Sequence, residues 1–544
     1  MKRKLYSILL AASMFFVSSC ELDLLDNPND VTISSADPNL ILNRVQIDVA
    51  GFFNTNSMTG QRLTRILNQG ANTYETAYLP VDFNGIWQTG YASILADIKA
   101  VKEITAQNGF RRHAGIAKTL EAYVLMTLVD NFGDIPYSEA LDPNNFNPKV
   151  DNGKAVYDAA LALLKSAKED FTAQSVGSPN DFFYGGNYTK WVRLVNTLEL
   201  KNQLNRRLTE TAAATSAINA LIAENNLLKT GDDFIFKYGT LNNDPDSRHP
   251  NFSVQFPNGG GDYQSNYYMW HMTEAKGFED PRTKFYFYRQ TGSITTNASE
   301  LRCIDEFKPN HYPQDMVFCF PNDRGFWGRD HLDNQGIPPD GLKRTLFGIY
   351  PAGFLFDENK PSGASASNPG AAGAGIQPIM LASYVDFMLA EAVETLGVAG
   401  DAKALLASGI DKSMSFVRSW SVGTSEAAKI NAFEPLATFN TVKSRYLNVI
   451  SGEYDAAATA KDRMRVIARE YWLALYGNGV EAYNLYRRTG QPDGMQPGLN
   501  PVVGKFPRSF IYPDAYVNRN SNAKQKADFG VKVFWDNNPD GFIN

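Results

Sequence analysis

A cysteine close to the amino terminus has the most clearly defined chemistry in this chain. A basic stretch at positions 2–4 is followed by the apolar run Leu5–Val17 and by small residues just before Cys20. Such a sequence is typical of an export leader that is cleaved from the mature chain. The apolar run is shorter than the roughly 20 residues that cross a bilayer. We predict a signal peptide over residues 1–19 and an acyl anchor on the Cys20 thiol; the alternative is an ordinary leader with a chance cysteine.

Composition and charge exclude some partners and favour others. The formal net charge is −6, and no basic stripe could release counterions from a nucleic acid. The acidic, turn-rich segment Glu21–Asp30 predicts that residues 20–38 are a tether between lipid and fold. The chain contains 26 Tyr, 34 Phe and 7 Trp, and aromatic side chains beyond the needs of a core often face ligands.

Signatures of catalysis and metal binding are missing from the sequence. We find no HExxH, GxSxG, phosphate-binding loop or EF-hand spacing. Paired carboxylates could hydrolyse a glycoside, but no local pattern selects two of them. The acidic loops leave calcium possible without any ligand spacing to support it. We therefore predict no enzyme, no cofactor and no metal site. The histidines, which lack ligand spacing, are His113, His249, His271, His311 and His331.

Two cysteines remain after Cys20. In an exported protein, Cys303 and Cys319 could form a disulfide that closes a short loop. They could equally be two reduced, buried thiols, and the sequence leaves both alternatives open.

Apolar residues recur at three- and four-residue steps in two blocks of the chain, which is typical of helices. Between the blocks, residues 230–375 are rich in Gly, Pro and aromatic residues, and we interpret them as long loops with a few short elements. We expect a mainly α fold of stacked helix pairs. The predicted helices span about 86–104, 112–130, 154–172, 188–209, 213–227, 378–396, 401–420, 426–432, 458–476 and 479–488.

Several segments together carry a family resemblance. The stretch from Gly115 to Tyr123, followed by Asp130–Leu141 with the sequence DNFGDIPYSEAL, resembles the segment that marks the SusD/RagB family of outer-membrane nutrient-binding lipoproteins of Bacteroidetes. Four later segments resemble the family in the same order along the chain. They are Trp191–Leu198, Pro378–Ala392, Ile467–Gly490 with its terminal RRTG, and Pro507–Pro513 followed by Asn518.

The resemblance implies a fold, a partner and a location. The fold would be a right-handed superhelix of tetratricopeptide-like helix pairs with long irregular loop insertions. The partner would be a SusC-like TonB-dependent barrel, and the protein would be lipid-anchored in the outer membrane and face the outside of the cell. We predict one domain over residues 39–544. Its helical scaffold would span about 39–230 and 376–490, with a ligand-facing insertion at 230–375 and a loop-rich segment at 491–544.

Aromatic rings beside hydrogen-bonding side chains predict where a ligand binds. The flat C–H faces of sugar rings stack on aromatic platforms, and a few amide or carboxylate groups fix their orientation. Packing beneath a loop is the alternative for each ring. The candidates are Tyr263, Asn266, Tyr267, Tyr268 and Trp270 in a first cluster, Arg324, Phe326 and Trp327 in a second, and Asn72, Tyr74, Tyr78 and Trp87 in a third.

The function that we predict is capture of an oligosaccharide at the cell surface and its transfer to the barrel. The membrane is reached through the lipid anchor only. Three alternatives remain: a surface glycosidase with unrecognised carboxylates, a peptide-binding lid, and a structural lid with little ligand affinity of its own.

Overall fold

Long helices form two blocks that flank a section of loops, short helices and short strands. The computed structural model describes residues 36–256, 261–320, 324–334, 340–362 and 370–543. Cys20 and the predicted signal peptide lie outside the described residues. In chain order the helices are α1 (Pro38–Leu63), α2 (Tyr74–Ala77), α3 (Asn84–Gln88), α4 (Ala96–Asn108), α5 (Arg111–Phe132), α6 (Gly153–Thr172), α7 (Tyr188–Arg206), α8 (Thr211–Glu224), α9 (Pro250–Gln255), α10 (Asn266–Thr273), α11 (Thr283–Tyr286), α12 (Ala382–Leu396), α13 (Ala402–Val422), α14 (Ala427–Phe433), α15 (Leu436–Ala456), α16 (Ala460–Ala474), α17 (Gly479–Thr489) and α18 (Asp514–Val517).

The predicted mainly α fold is confirmed. Successive helices pack as pairs, with α5 against α6, α7 against α8 and α12 against α13. A π-helical turn at Thr89–Leu95 joins α3 to α4. None of the helices in the described part of the chain is long and apolar enough to span a membrane.

Helix α5 lies at the centre of the first block. Its side chains are buried on almost every face, as the apolar stretch at 123–126 predicts. A Cβ at Gly115 would come within 2.8 Å of the Phe171 ring, so glycine allows α6 to approach this closely. The following helices begin where short polar side chains cap them, because Asn152 accepts from the Lys154 amide and Asn187 from the Lys190 amide.

The two helical blocks meet where α1 crosses α17. Gly60 on α1 faces Gly479 on α17, and a Cβ on either residue would lie 2.0 Å from the other backbone. Ser57 Oγ also accepts from the Gly479 amide at 2.9 Å. Contact between the two backbones therefore holds the first and last long helices together.

One predicted helix boundary is wrong. Residues 376–380 form strand β4 (Ile376–Met380), and α12 begins only at Ala382. Strand β4 pairs antiparallel with β1 (Phe234–Lys237), with Ile235 opposite Pro378. Pro378 could be the first residue of a helix, as Pro38 is in α1, but the segment pairs with β1 instead, and the helix begins only after this pairing ends. A second short pair joins β2 (Phe287–Tyr288) to β3 (Leu346–Phe347).

Two long helices, α1 and α15, were not among the predicted helices. The buried face of α1 includes polar side chains such as Gln46, Asn56 and Gln61, which interrupt the apolar pattern. Helix α15 buries only Phe439, Tyr446 and Ile450 among its 21 residues, so its apolar stripe is too sparse to recognise.

A buried ion cluster connects the second block to the first. The Arg488 guanidinium donates to both oxygens of Glu391, at 2.6 and 2.8 Å, and Arg207 Nε donates to the same carboxylate at 3.1 Å. Burial alone would raise the pKa of Glu391, but the two guanidinium groups outweigh this effect and lower it. The cluster therefore holds α7, α12 and α17 together.

Removal of the shared carboxylate should destabilise the fold strongly. We expect Glu391→Ala to lower the free energy of unfolding by about 3–5 kcal/mol, because Arg207 and Arg488 would remain buried without an anion. Asp48→Ala, which breaks an exposed pair with Arg44, should cost less than about 1 kcal/mol. Chemical denaturation of both variants measures the difference, and equal losses would contradict the role given to Glu391.

His249 makes the fold sensitive to acid. Its Nδ1 accepts from the Asn251 amide at 3.1 Å at the start of α9, and its ring packs against Tyr238. Burial lowers the pKa of His249 to about 3. The pKa of histidine in the unfolded chain is near 6.5, so below that pH the unfolded state binds a proton that the folded state does not. The stability that neutral His249 contributes is therefore complete above about pH 6.5 and is lost as the pH falls toward the folded-state pKa.

His249→Asn should reduce this acid sensitivity while it keeps an oxygen acceptor at the start of α9. Between about pH 7.5 and about pH 5, the parent should lose about 2 kcal/mol more stability than the variant. Thermal unfolding at the two pH values measures this difference, with His311→Asn as the control. Burial also lowers the pKa of His113, His271 and His331, so only the difference from the parent is diagnostic. The same acid-induced loss in parent and variant would refute the assignment.

Candidate ligand-binding site

Most of the first aromatic cluster points into the protein. Tyr267 and Tyr268 on α10 are buried, and their hydroxyls donate to the Gly494 and Leu473 carbonyls at 3.0 and 2.8 Å. Asn266 is also buried, and its side-chain Nδ2 donates to the Asp330 carboxylate at 3.2 Å. Trp270 is the ring of α10 that keeps a partly exposed face.

Tyr263 lies between two arginines. The guanidinium groups of Arg329 and Arg344 lie 4.7 and 4.5 Å from the centre of its ring, and its hydroxyl donates to Asp340 at 3.0 Å. Both the ring and the hydroxyl of Tyr263 are therefore already in contact with other protein groups.

The second cluster packs around a disulfide. Cys303 and Cys319 are joined, and Trp327, which is 3% exposed, packs against them with Leu301. Phe326 is buried as well. Arg324 forms ion pairs with Glu274 and Glu279.

The structure brings the first two clusters together, although their rings do not form a common platform. The Asn266 amide donates to the Arg329 carbonyl at 2.9 Å, and the Arg329 amide donates to the Gln264 carbonyl at 3.0 Å. These backbone contacts place the two segments side by side. Since Tyr268 and Trp327 are both buried, the junction between the segments is packed interior.

The four residues of the third cluster lie in different environments. The Tyr74 hydroxyl contacts His331 Nε2 at 3.1 Å, and the Tyr78 hydroxyl donates to Gln69 at 2.8 Å, so both phenols are engaged within the protein. Asn72 is exposed at the surface. Trp87, at the end of α3, and Tyr74 line two different cavities, each together with other aromatic rings.

The Trp87 cavity has a volume of about 660 Å³. The Trp87 ring is half-buried, and its centre lies 4.7 Å from that of Tyr91 and 4.4 Å from that of Tyr516. Phe146 lies at the edge of the cavity and is 82% exposed. Three segments that are distant in sequence thus form one aromatic surface. It contains the residues Trp87, Tyr91, Phe146 and Tyr516.

One polar group in this cavity has no protein partner. The Tyr516 hydroxyl is buried and makes no hydrogen bond to any described residue. Burial raises the pKa of Tyr516 to about 12, so the phenol keeps its proton at neutral pH and can donate to a ligand. The Tyr91 hydroxyl, by contrast, already donates to the Pro136 carbonyl at 2.7 Å.

Amide side chains lie among the rings and hold the walls of the cavity. Asn84 Oδ1 accepts from the Ala515 amide at 3.2 Å, and Asn520 donates to the Pro148 carbonyl at 2.8 Å. Gln88 lines the cavity with an exposed side chain. An aromatic surface with a few amides can bind a sugar ring through stacking and hydrogen bonds.

The loop that forms one wall of the cavity is fixed at both ends. Ile135 and Asp151 pair through two backbone hydrogen bonds, and the Asp151 carboxylate accepts from the amides of Tyr137 and Ser138 at 2.9 and 2.8 Å. These bonds hold the segment Asp134–Tyr137 in a fixed turn at the start of the loop.

Several residues of the cavity were not predicted. The helical pattern assigned Tyr91 to a core face, and nothing in the sequence marked Phe146 or Asn520. Tyr516 follows the terminal Pro507–Pro513 motif by three residues, which was the only available signal. Tyr516 contributes to the cavity only through its contact with Trp87, which lies more than 400 positions earlier in the chain.

A second cavity, of about 850 Å³, lies between Tyr74 and loops of the last sixty residues. Several of its charged side chains are paired. Lys505 pairs with Asp528 at 2.7 Å within the lining, and Arg508 pairs with Asp536.

Metal ligands are not grouped in the described part of the chain. No set of three His, Cys, Asp or Glu side chains lies close enough there to hold an ion.

Two family models cover most of the chain. Residues 28–305 match the model described as "Starch-binding associating with outer membrane", and residues 347–533 match "Susd and RagB outer membrane lipoprotein". No curated protein matches the chain.

Solved structures have the same fold at low sequence identity. A SusD/RagB family protein from Bacteroides thetaiotaomicron is 17% identical, with a TM-score of 0.66 over 93% of this chain and 100% of that chain. A SusD homologue from Bacteroides fragilis is 18% identical, with a TM-score of 0.65 over 92% of this chain and 99% of that chain.

A chitin-binding SusD homologue from Flavobacterium johnsoniae is 19% identical, with a TM-score of 0.60 over 92% of this chain and 100% of that chain. The family models and the shared helical fold agree with the motifs in the sequence. The chain belongs to the SusD/RagB family of outer-membrane lipoproteins.

Proposed function

We propose that this protein captures an oligosaccharide at the Trp87 cavity and passes it to a SusC-like TonB-dependent barrel. The observation that carries the proposal is the half-buried Trp87 ring beside the unpartnered Tyr516 hydroxyl. The partly exposed ring adds apolar surface against which a sugar can pack, and the hydroxyl offers a hydrogen bond that no described residue uses. Acylation of Cys20 would keep the protein at the outer membrane, facing outward.

Binding without catalysis agrees with the chemistry of the cavity. Among the described residues that line the Trp87 cavity, none carries a carboxylate. Glycoside hydrolysis usually needs two carboxyl groups, one as acid and one as base or nucleophile. The glycosidase alternative therefore has no support at this site.

The relatives favour a glycan as the ligand. One family model is described as starch-binding, and the homologue from Flavobacterium johnsoniae is described as chitin-binding. Starch and chitin are both polymers of pyranose sugars, whose rings present C–H faces. We therefore choose starch and chitin oligosaccharides as the first probes.

Trp87→Ala should weaken oligosaccharide binding by about tenfold or more, because stacking and burial of one aromatic ring contribute roughly 1.5–3 kcal/mol. Isothermal titration with starch and chitin oligosaccharides measures the change. Trp270→Ala is the matched control, since Trp270 is also partly exposed but lies outside the cavity. In the same titrations, Tyr516→Phe should cost about fivefold, the equivalent of one hydrogen bond.

The paired variants separate the candidate sites. Normal affinity in Trp87→Ala together with lost affinity in Trp270→Ala would place the ligand at α10 instead. If the parent binds peptides and no glycan of the panel, the peptide-binding alternative replaces the proposal.

A further inference from the structure

Exposed apolar side chains gather around the first turns of α1. Leu40 is 69% exposed and Ile47 is 52% exposed. The two residues are seven positions apart, so they lie on one side of the helix. The opposite side of the same turns, with Leu42 and Val45, is fully buried in the core. Leu40 and Ile47 thus lie on either side of Arg44 on an exposed side of α1 that no described element covers.

A neighbouring segment extends this exposed side. Gln46 donates to the Asn180 carbonyl at 2.8 Å and accepts from the Phe182 amide at 2.9 Å. Asn39 accepts from the Asn180 amide at 3.1 Å. These three bonds hold residues 180–182 along α1 and place Phe182, which is 42% exposed, beside it.

Val176 joins the patch from the same segment. Its amide donates to the Gly109 carbonyl at 2.9 Å, just before α5, and His113 on α5 contacts Asn39 at 3.1 Å. Val176 is 55% exposed. We call the set Leu40, Ile47, Val176 and Phe182 the α1 apolar face.

The chain that leads to the lipid anchor ends at this face. Helix α1 begins at Pro38, eighteen positions after Cys20. Fully extended, this length of chain spans at most about 65 Å. The tether joins the fold two residues before Leu40, so the α1 apolar face is the exposed apolar surface nearest to the tether along the chain.

The shape and charge of the face favour lipid over a protein groove. It is a helix flank with a loop beside it, and neither cavity described above includes its residues. The nearby Arg44 and Arg111 are 65% and 45% exposed and are paired with Asp48 and Asp170, and Asp37 and Asp97 lie near His113 and Arg44, so no excess of positive charge surrounds the face. Insertion at a membrane interface requires exposed apolar area, whereas a tight protein interface also requires complementary shape.

We propose that the α1 apolar face docks on the lipid surface and fixes the orientation of the protein on its membrane. An acyl chain limits the distance of the protein from the bilayer but leaves it free to rotate. Apolar contacts at a second point remove that freedom. The inference depends on acylation of Cys20, as in the proposed function, and is independent of the ligand.

The test uses the full acylated protein in vesicles of phosphatidylcholine with brominated acyl chains. An environment-sensitive dye is attached through Ile47→Cys. In a separate protein it is attached through Val502→Cys, which replaces an exposed valine elsewhere on the surface. Val502 lies at the opposite end of α1, because the Tyr74 amide donates to the Val503 carbonyl and Tyr74 contacts Arg65 just beyond the helix. From Ile47 to its end at Leu63, helix α1 rises about 24 Å, so the two dyes report on separate surfaces.

We expect the dye at position 47 to be quenched at least about threefold more than the dye at position 502, since only the former would reach the acyl chains. Leu40→Ser with Phe182→Ser should remove most of this difference while circular dichroism shows an unchanged fold. Equal quenching at both positions, or none at position 47, would overturn the proposal. Dye shielding at position 47 that requires added outer-membrane proteins would assign the face to a protein partner.

The failure of the anchor has a different signature. If Cys20 is not acylated, the protein does not float with the vesicles at all, and that result bears on the proposed function. If the protein floats but the dye at position 47 is not quenched, only the docking proposal fails.

Discussion

The carboxylate of Asp130 is the point on which the arrangement of the helices depends. It lies fully buried near the end of α5 and accepts hydrogen bonds from Tyr157 on α6, Lys201 on α7, Asn484 on α17 and Trp535 in the final segment. A buried charge is tolerated only when its partners are complete. These partners come from both ends of the chain, so Asp130 couples the first helical block to the last.

The same end of α5 determines where the Trp87 cavity lies. The backbone of Asn131 accepts from the Phe510 amide at 2.6 Å, just before the segment that carries Tyr516. On the other side, Gly133 ends α5 with a positive φ of 75°, and the chain turns into the loop that carries Phe146. Both walls of the Trp87 cavity therefore start within a few residues of Asp130. The segment Asp130–Leu141, which carries the family resemblance, thus positions both walls and also lines the cavity through Pro136, Ala140 and Leu141.

Features of the fold that depend on neighbouring residues can be predicted from the sequence, whereas features that depend on contacts between distant segments cannot. Helices such as α5 and α6 have continuous apolar faces and local caps, so their existence follows from nearby residues. Helix α1 has a buried face that is partly polar, and its partners, such as Gly479, lie hundreds of positions away. The aromatic clusters illustrate the same limit. Tyr268 and Trp327 stand among polar neighbours, as ligand-binding rings do, yet both rings are buried inside the protein. Trp87 forms a cavity only because Tyr516 packs beside it.

The pairing of β1 with β4 has a consequence for how such proteins diversify. The chain leaves the scaffold after β1 and returns to it at β4, and Asp233 beside β1 accepts from the Ala382 amide where α12 begins. The intervening section thus starts and finishes at one place. The entropic cost of closing a loop grows only slowly with its length. Insertions or deletions between these strands can therefore accumulate at low cost, provided that rings such as Tyr268 and Tyr286 keep their contacts with Trp472 and Tyr476. A single lineage could in this way exchange one outer surface for another while it retains the same helical frame.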